Sequence, residues 1–198
     1  RVPWAFDEQA CDVARYFVQL KCSLMPYLYA KAVEAHEDGT PVMRPMVFEF
    51  EDDPACQTLD MQYMLGESLL TAPIFSEDGS AAWYLPEGTW TNYLDGTVNT
   101  LLAVGSVTER PDYDYAASSV LHLFALKDGK EAVCKIPDIH GQIVETVKAI
   151  RSGQKIVVTA DGKNREEDAA FALVLHDENG NMQEISIPAK GEAVLELI

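Results

Sequence analysis

The chain has 198 residues, of which 47% are apolar, and its net charge is −17, from 32 acidic and 15 basic side chains. This length allows one large domain or two small ones. The strong negative charge repels phosphate backbones, so we expect no nucleic-acid partner. No run of about 18 apolar residues occurs, so we also expect no membrane-spanning helix.

The first predicted element is a long helix over residues 7–36. Asp7 is a suitable N-cap residue, and apolar residues recur every three or four positions, which places them on one face. Pro26 removes one hydrogen bond of the helix, so we expect a kink or break near residues 23–25. Gly39 is expected to end the helix. The wide apolar face must pack against a large partner.

Two candidate strands follow the helix, over residues 43–50 and 69–75. Neither strand alternates polar and apolar residues, and such strands usually lie in a parallel sheet that is covered on both faces. Two strands cannot form that sheet, so we infer that residues 1–80 fold against material outside this chain. In its absence we expect an exposed apolar patch, formed by Phe17, Leu20, Leu24 and Leu28.

From about residue 81 the pattern changes to short strands and turns. Hairpins are predicted around four turns: Pro86-Glu87-Gly88, Asp128-Gly129, Ser152-Gly153 and Asn179-Gly180. Regular hairpins at this spacing predict an antiparallel β-sandwich. The polar residues 160–168 are predicted to form a loop.

Three blocks of the chain carry a family resemblance: a helical block that runs from VPWAFDEQ through LMPYLY to GTPVMRP, then QYMLGESLLTAPIF, then YLPEGTWTNYLDG. They are similar to the stretch before barrel strand eight, the eighth strand itself, and the start of the proximal C-terminal β-domain in glycoside hydrolase family 31. This family includes α-glucosidases and α-xylosidases. A fourth block, NTLLAVGSVTERPDYDYAASSVLHLFALKDGKEAVCKIPD, resembles the bacterial α-xylosidase branch in particular.

The resemblance implies an α+β chain. Residues 1–80 would be the end of a (β/α)8 barrel, residues 81–125 a proximal C-terminal β-domain, and residues 126–198 a distal antiparallel β-sandwich. A segment of the proximal domain is expected to be missing near residues 95–99. It is either deleted from the protein or left out here, with the residues on both sides numbered continuously. The chain begins with Arg1 and no signal segment follows, which we interpret as a piece of a longer chain.

The resemblance also implies a retaining α-glycosidase that hydrolyses O-glycosidic bonds with two carboxylates about 5 Å apart. In the family both are aspartates in upstream motifs that this chain lacks. We therefore assign no catalytic residue and leave the substrate-binding residues unknown. The chain alone is predicted to be inactive, with the upstream barrel of the same enzyme as its partner and an α-linked oligosaccharide as the substrate of the whole enzyme.

The cysteines and histidines indicate no metal or cofactor, because none of them has the close spacing that metal ligands need. Cys11, Cys22 and Cys134 lie among apolar residues, as buried free thiols do, and Cys56 has no CxxC partner. Free thiols are typical of a reducing compartment, so we expect a cytoplasmic protein.

Two acidic clusters and three further side chains are candidates for chemistry within the chain itself. The acidic clusters Glu49, Glu51, Asp52, Asp53 and Asp112, Asp114 are interpreted as solvated surface groups rather than as an acid/base pair.

Arg44 is expected to pair with a buried carboxylate, the alternative being a contact with a sugar hydroxyl at the barrel mouth. Trp83 and Trp90 are expected to pack a sheet, the alternative being a platform for a sugar ring. The alternative function for the whole chain is a non-catalytic carbohydrate-binding or structural β-sandwich module, including one that makes homo-oligomer contacts.

Overall fold

The structure is a computed structural model that describes residues 2–88, 90, 93, 101–162, 169–177 and 181–197. Within these ranges the fold is mostly β-sheet with few helices. Two helices come first, followed by a small three-stranded sheet and then by two four-stranded sheets. Among the described residues, no helix has the length and apolar content that crossing a membrane requires.

The predicted long helix is present as two helices, α1 (Glu8–Ser23) and α2 (Met25–Asp38). The Asp7 side chain caps α1 by accepting a hydrogen bond from the Ala10 amide at 2.7 Å. Pro26 lies in the first turn of α2, where its missing N–H removes no helical hydrogen bond. Gly39 ends α2 in the left-handed conformation, with φ of 85°. The predicted cap, break and end of the helix are therefore confirmed.

The small sheet contains β1 (Met43–Pro45), β2 (Tyr63–Leu65) and β3 (Leu69–Thr71), and both of its strand pairs are antiparallel. The predicted strands over residues 43–50 and 69–75 are too long, and the predicted parallel arrangement is wrong for these pairs. The chain turns after Pro45, which serves as the N-cap of the short helix α3 (Met46–Glu49). A 3-10 helix, Pro54–Thr58, follows the acidic turn.

Among the described residues, the sandwich contains eight strands and one short helix, α4 (Tyr115–Ser118). The strands are β4 (Leu101–Gly105), β5 (Ser119–Phe124), β6 (Glu131–Pro137), β7 (Ile143–Ser152), β8 (Lys155–Asp161), β9 (Ala170–His176), β10 (Met182–Pro188) and β11 (Lys190–Glu196). They form two sheets, in the orders β10-β9-β5-β4 and β11-β8-β7-β6. All neighbouring pairs are antiparallel except β5 and β9, which are parallel.

Two of the predicted hairpins are confirmed. The pair β7 and β8 turns after Ser152, and the pair β9 and β10 begins with His176 opposite Met182. The turn residues of the second hairpin lie outside the described residues, as do the predicted missing segment near 95–99 and positions 163–168 of the predicted loop.

Two other hairpin predictions are wrong. Residues 81–88, which include the first strand predicted for the hairpin at Pro86-Glu87-Gly88, contain no strand, and most of its second strand lies outside the described residues. The strands β5 and β6 flank Asp128-Gly129, but they lie in different sheets, because the link between them crosses the sandwich. Ala125 starts this crossing with an unusual positive φ of 39°. The Arg151 guanidinium then holds the link by donating a hydrogen bond to the Leu126 carbonyl at 2.8 Å.

The core of the sandwich lies between the two sheets and takes side chains from both. Leu121 and Leu173 on one sheet and Val147 and Val158 on the other are each at most 2% exposed. Strands β4 and β5 thus share one core with β6–β11. The predicted boundary between residues 125 and 126 falls between β5 and β6, and the division into domains stays a prediction.

The helices pack directly on the sandwich through three tyrosines, Tyr29, Tyr113 and Tyr115, which we call the tyrosine cluster. Tyr113 is buried, stacks edge-on against Tyr115 at 4.8 Å, and donates a hydrogen bond to the Cys22 carbonyl of α1 at 2.9 Å. Burial raises the pKa of Tyr113 to about 12, so its hydroxyl keeps its proton and remains a donor. Residues 2–80 and the sandwich are therefore in direct contact.

Candidate functional site

Five charged side chains form a network at the small sheet: Lys31, Glu34, Arg44, Glu49 and Glu67. Arg44 lies at its centre on β1, with its side chain only 5% exposed. Its guanidinium contacts Glu49 at 2.5 Å and Glu34 at 3.2 Å. Lys31 of α2 contacts Glu34 and Glu67, each at 2.7 Å. The charged network thus joins α2, β1, α3 and the turn between β2 and β3.

The charged network has a structural role. Burial alone lowers the pKa of Lys31 and of Arg44, but hydrogen bonds to the glutamates outweigh it and raise both pKa values above normal. Both side chains therefore stay charged. The predicted pairing of Arg44 with carboxylates is confirmed, although these carboxylates are half-buried rather than fully buried. A guanidinium so enclosed has little surface left for a sugar hydroxyl.

Tyr27 holds the turn between β2 and β3. Its hydroxyl donates a hydrogen bond to the Leu65 carbonyl at 2.8 Å and accepts one from the Ser68 amide at 3.1 Å. Burial, with Glu67 nearby, raises the pKa of Tyr27. Gly66 has a φ of 61°, and a Cβ at this position would lie 2.1 Å from the Tyr27 hydroxyl oxygen. The close approach of helix and turn therefore requires glycine here.

The acidic clusters do not assemble an acid/base pair in the described residues. Asp53 caps the 3-10 helix by accepting a hydrogen bond from the Ala55 amide at 3.0 Å, and it also accepts one from the Tyr84 hydroxyl at 3.0 Å. Asp114 caps α4 through the Ala117 amide at 2.9 Å. The other acids of these clusters, apart from Glu49 in the charged network, are exposed: Glu51, Asp52 and Asp112. The interpretation as surface and capping groups is the one that the geometry supports.

The two tryptophans differ in their surroundings. Trp90 is half-buried, packs against Phe50 at 5.9 Å between ring centres, and donates a hydrogen bond to the Pro86 carbonyl at 2.7 Å. The predicted packing role of Trp90 is therefore confirmed. Trp83 is 58% exposed, so its packing role is not confirmed and a sugar contact stays open to test.

Most of the large apolar side chains that are exposed in the described part of the chain lie in residues 2–85. Two groups of them form what we call the apolar surface. The first group surrounds the start of α1: Trp4, Phe6, Val13, Tyr16, Phe17 and Val18. The second surrounds the small sheet: Met43, Val47, Phe48, Met61, Ile74 and Phe75. In a protein of this charge, so many exposed apolar side chains indicate a surface that another structure covers.

The predicted apolar patch of Phe17, Leu20, Leu24 and Leu28, which extends from α1 into α2, is correct only in part. Phe17 is 54% exposed, as expected, but Leu24 is only 8% exposed. Leu24 packs with Tyr27, Leu69 and Phe124 of the sandwich, and Leu20 and Leu28 are partly buried against the same group. The second half of the apolar helical face is therefore covered by other side chains of the same chain.

Sequence analysis missed a pair of histidines on the outer side of the sheet that contains β5 and β9. The His122 Nδ1 and His176 Nε2 atoms are 2.9 Å apart, so one ring nitrogen carries the hydrogen that the other accepts. The His176 ring stacks on Phe124 at 4.0 Å between centres. Burial, together with His176, lowers the pKa of His122 to about 4. The His122 ring is therefore expected to be neutral at physiological pH.

All four cysteines are free thiols. Cys22, Cys56 and Cys134 are buried and Cys11 is half-buried, which confirms the predicted burial of Cys22 and Cys134 and corrects that of Cys11. Burial raises the pKa of Cys134 to about 12, which makes this thiol unreactive. Within the described ranges, no three side chains of the metal-binding types come together as a site for a metal ion.

Comparison with known proteins identifies two family models along the chain. The glycosyl hydrolase family 31 C-terminal domain matches residues 39–126. The model described as "Alpha-xylosidase YicI, C-terminal domain" matches residues 114–197. Together the two models extend from the end of α2 to the last described residue.

Individual relatives agree with these models. The chain is 33% identical to α-xylosidase XylQ of Lactiplantibacillus pentosus over 221 residues, an alignment that covers 98% of this chain and 28% of the relative. It is 50% identical to an α-xylosidase of Emericella nidulans over 102 residues, covering 48% of this chain and 13% of the relative. The chain thus spans less than a third of the length of these relatives.

A solved structure shows the same fold. The family 31 dextranase of Flavobacterium johnsoniae in complex with glucose superimposes with a TM-score of 0.79 at 21% identity. The superposition covers 98% of this chain and 33% of the dextranase. The arrangement of helices, small sheet and sandwich therefore also occurs within a larger enzyme.

Proposed function

Because this chain belongs to glycoside hydrolase family 31, of which it carries the C-terminal domains, we propose that it acts as the C-terminal part of a retaining α-glycosidase. In this proposal the whole enzyme hydrolyses O-glycosidic bonds of α-xylosides or α-glucosides. Its two catalytic carboxylates lie in the upstream barrel, and this chain supplies none of them. The names of the two relatives favour the α-xyloside.

The proposal rests on one structural observation, the exposed apolar surface. Residues 1–80 would close the barrel, with α1, α2 and the small sheet as its last elements. The side chains of the apolar surface would then be covered by the rest of the barrel, which explains why Phe17 and Phe75 are exposed here. Residues 81–125 and 126–198 would form the proximal and distal C-terminal domains, which support the barrel through the tyrosine cluster.

The proximal domain in this proposal lacks a segment near residues 95–99. One comparison supports a missing segment within the chain, without giving its position: the alignment with the L. pentosus relative runs over 221 residues, whereas this chain has 198. The relative therefore carries additional residues within the aligned stretch. A cytoplasmic location is also proposed, because Cys22, Cys56 and Cys134 are buried free thiols, which suit a reducing compartment.

The decisive experiment measures hydrolysis by the purified chain. Nitrophenyl α-xyloside and nitrophenyl α-glucoside are incubated with the chain alone, and no turnover above the buffer rate is expected. A chimera in which this chain replaces the matching region of the L. pentosus enzyme is expected to hydrolyse the α-xyloside. Turnover by the isolated chain, or an inactive chimera that is folded, would contradict the proposal.

A second candidate function, carbohydrate binding without catalysis, rests on the exposed ring of Trp83. Aromatic rings of this kind can stack on the apolar face of a sugar. Titration calorimetry with xyloglucan oligosaccharides tests it, with Trp83→Ala as the variant. Trp4→Ala is the matched control, because Trp4 is also exposed but lies before α1. Heat that is absent in Trp83→Ala and present in the control would favour this candidate.

A further inference from the structure

A cavity of about 530 Å³ lies at one end of the sandwich, where β5, β7, β9 and β11 end and where β8 and β10 begin. We call it the end cavity. Its innermost lining is apolar, because the lining residues Leu123, Leu126, Ile156 and Leu175 are all buried. Small-molecule sites are typically cavities of roughly 300–1,000 Å³ in which an apolar lining carries a few polar groups. The end cavity has this size and this kind of lining.

Two polar side chains of the end cavity occupy strand positions that face the sandwich core. On β7, Val147 and Ala149 are fully buried in the core, and Arg151 is the next residue on the same face. On β10, Gln183 lies opposite the core residue Leu175 in the register, so it also faces inward. β7 and β10 belong to different sheets. The inward faces of both sheets therefore end in a polar side chain at the end cavity.

Hydrogen bonds to neighbouring groups hold the charged side chains of the end cavity in place. The Arg151 guanidinium donates from Nε to the Gly153 carbonyl at 3.0 Å and from Nη1 to the Leu126 carbonyl at 2.8 Å. The Asp177 carboxylate accepts from the Asn181 amide at 2.7 Å and from the Asn181 side-chain Nδ2 at 2.6 Å. A ligand that binds here meets groups that are already positioned, which reduces the entropic cost of binding.

One wall of the end cavity also contains a strained residue. Ala125 lines the cavity with a φ of 39°, a conformation that costs energy for a residue with a Cβ. Its amide donates a hydrogen bond to the His176 carbonyl at 2.7 Å, which fixes this part of the wall. Backbone strain of this kind is concentrated at ligand-binding and active sites. The strain at Ala125 is thus a second observation that favours a binding site.

The polar groups of the lining determine which ligand chemistry suits the end cavity. Arg151 donates hydrogen bonds, Asp177 accepts them, and the side-chain amides of Gln154, Asn181 and Gln183 do both. A hydroxyl group also donates and accepts, so it can pair with each of them. Arg151 and Asp177 carry opposite charges, and the net charge of −17 repels anions. The lining therefore suits an uncharged ligand with several hydroxyl groups and a C–H surface that contacts the leucines.

We propose that the end cavity binds a neutral saccharide of one or two sugar units. The site does not include Trp83, and its existence does not depend on the proposed enzymatic function. Among the described residues that line it there is no phenylalanine, tyrosine or tryptophan on which a sugar ring could stack. Binding therefore relies on hydrogen bonds and aliphatic contacts, and we expect a Kd on the order of 1 mM.

A titration followed by ¹H–¹⁵N NMR tests this proposal on the purified chain. Maltose, a neutral disaccharide, is added up to about 20 mM, well above the expected Kd. The backbone amides of Leu126 and Gly153 are expected to shift and to approach saturation, because both residues lie beside the Arg151 guanidinium. Glucuronate, a sugar acid, is expected to bind at least about threefold more weakly than glucose, because the chain repels anions.

Two variants connect the binding to the end cavity. Gln183→Leu continues the apolar inward face of β10 and is expected to raise the Kd for maltose about fivefold or more, through lost hydrogen bonds. Gln154→Ala changes an exposed side chain in the turn between β7 and β8, so the fold is retained, and a rise of about threefold is expected. Gln142→Leu is the matched control, because Gln142 is exposed at the opposite end of β7, and its Kd is expected to equal that of the parent chain.

Three results would overturn the proposal. The first is the absence of shifts at Leu126 and Gly153 with maltose at about 20 mM, a concentration that detects binding as weak as the expected Kd. The second is an unchanged Kd in both Gln183→Leu and Gln154→Ala. The third is a set of shifts confined to the surroundings of Trp83, which would assign the sugar contact to that ring instead.

Discussion

His122 should make the stability of the chain depend on pH. Its pKa is lowered to about 4 in the folded chain by burial and by His176, whereas an unfolded histidine has a pKa of about 6.5. Between these two values the unfolded chain binds more protons than the folded chain does. The free energy of unfolding therefore falls as the pH is lowered from about 6.5 to about 4. Above about pH 6.5, His122 does not make the free energy of unfolding depend on pH.

The magnitude follows from the difference between the two pKa values. The full difference corresponds to about 3 kcal/mol, of which about 2 kcal/mol is already lost at about pH 5. Because His122 is only half-buried, solvent screening reduces the effect at pH 5 to about 1 kcal/mol. Urea denaturation at about pH 7 and about pH 5 measures this loss directly, and most carboxylates remain ionised at both values.

The variant His122→Gln separates this effect from other acid effects. Glutamine keeps polar atoms on β5 but does not titrate, so the loss between pH 7 and pH 5 should shrink by about 1 kcal/mol. His140→Gln is the matched control, because His140 is exposed on the turn between β6 and β7. Equal losses in the parent chain and in His122→Gln would refute this account of the histidine pair.

Three further predictions concern contacts that hold residues 2–80 in place, each measured by urea denaturation at neutral pH. Gly66→Ala should destabilise the chain by about 3 kcal/mol, because a left-handed residue gains a Cβ that collides with the Tyr27 hydroxyl; a loss below about 1 kcal/mol would mean that the turn adapts. Arg44→Met should cost about 2 kcal/mol, since half-buried Glu49 loses its cation and Glu34 is left with Lys31 alone, and an unchanged midpoint would contradict a structural role. Tyr113→Phe should cost about 1 kcal/mol through one lost hydrogen bond to α1, whereas no loss would mean that ring packing alone joins the helices to the sandwich.

Local features of the fold were predictable because their causes lie within a few residues. The cap at Asp7, the break before Pro26 and the end at Gly39 each depend on one residue and its neighbours, and all three are present. The hairpin of β7 and β8 was predictable for the same reason, since its short turn fixes the pairing of the strands that flank it.

The hairpin that was wrongly predicted at Asp128-Gly129 shows that turn residues alone do not determine which strands pair. Its turn residues are suitable, and two strands do flank it. However, β5 pairs with β9, a strand about 50 residues further along the chain, and this pairing places β5 in the other sheet. The histidine pair was missed for the same reason. His122 and His176 are 54 residues apart and meet only because β5 and β9 are neighbours, whereas rules for ligand spacing compare residues that are close in sequence.

The contacts of α1 and α2 with the sandwich narrow the surface that remains for a partner. Leu24 and Tyr27 pack against Phe124, and Tyr113 binds the end of α1, so one side of the helices is already covered. What remains exposed is the start of α1, around Phe17, and the surroundings of the small sheet. In the proposed enzyme, the sandwich therefore holds the barrel elements from one side and the rest of the barrel covers them from the other. Weakening the tyrosine cluster would then act on the barrel through α1, without altering any residue of the apolar surface.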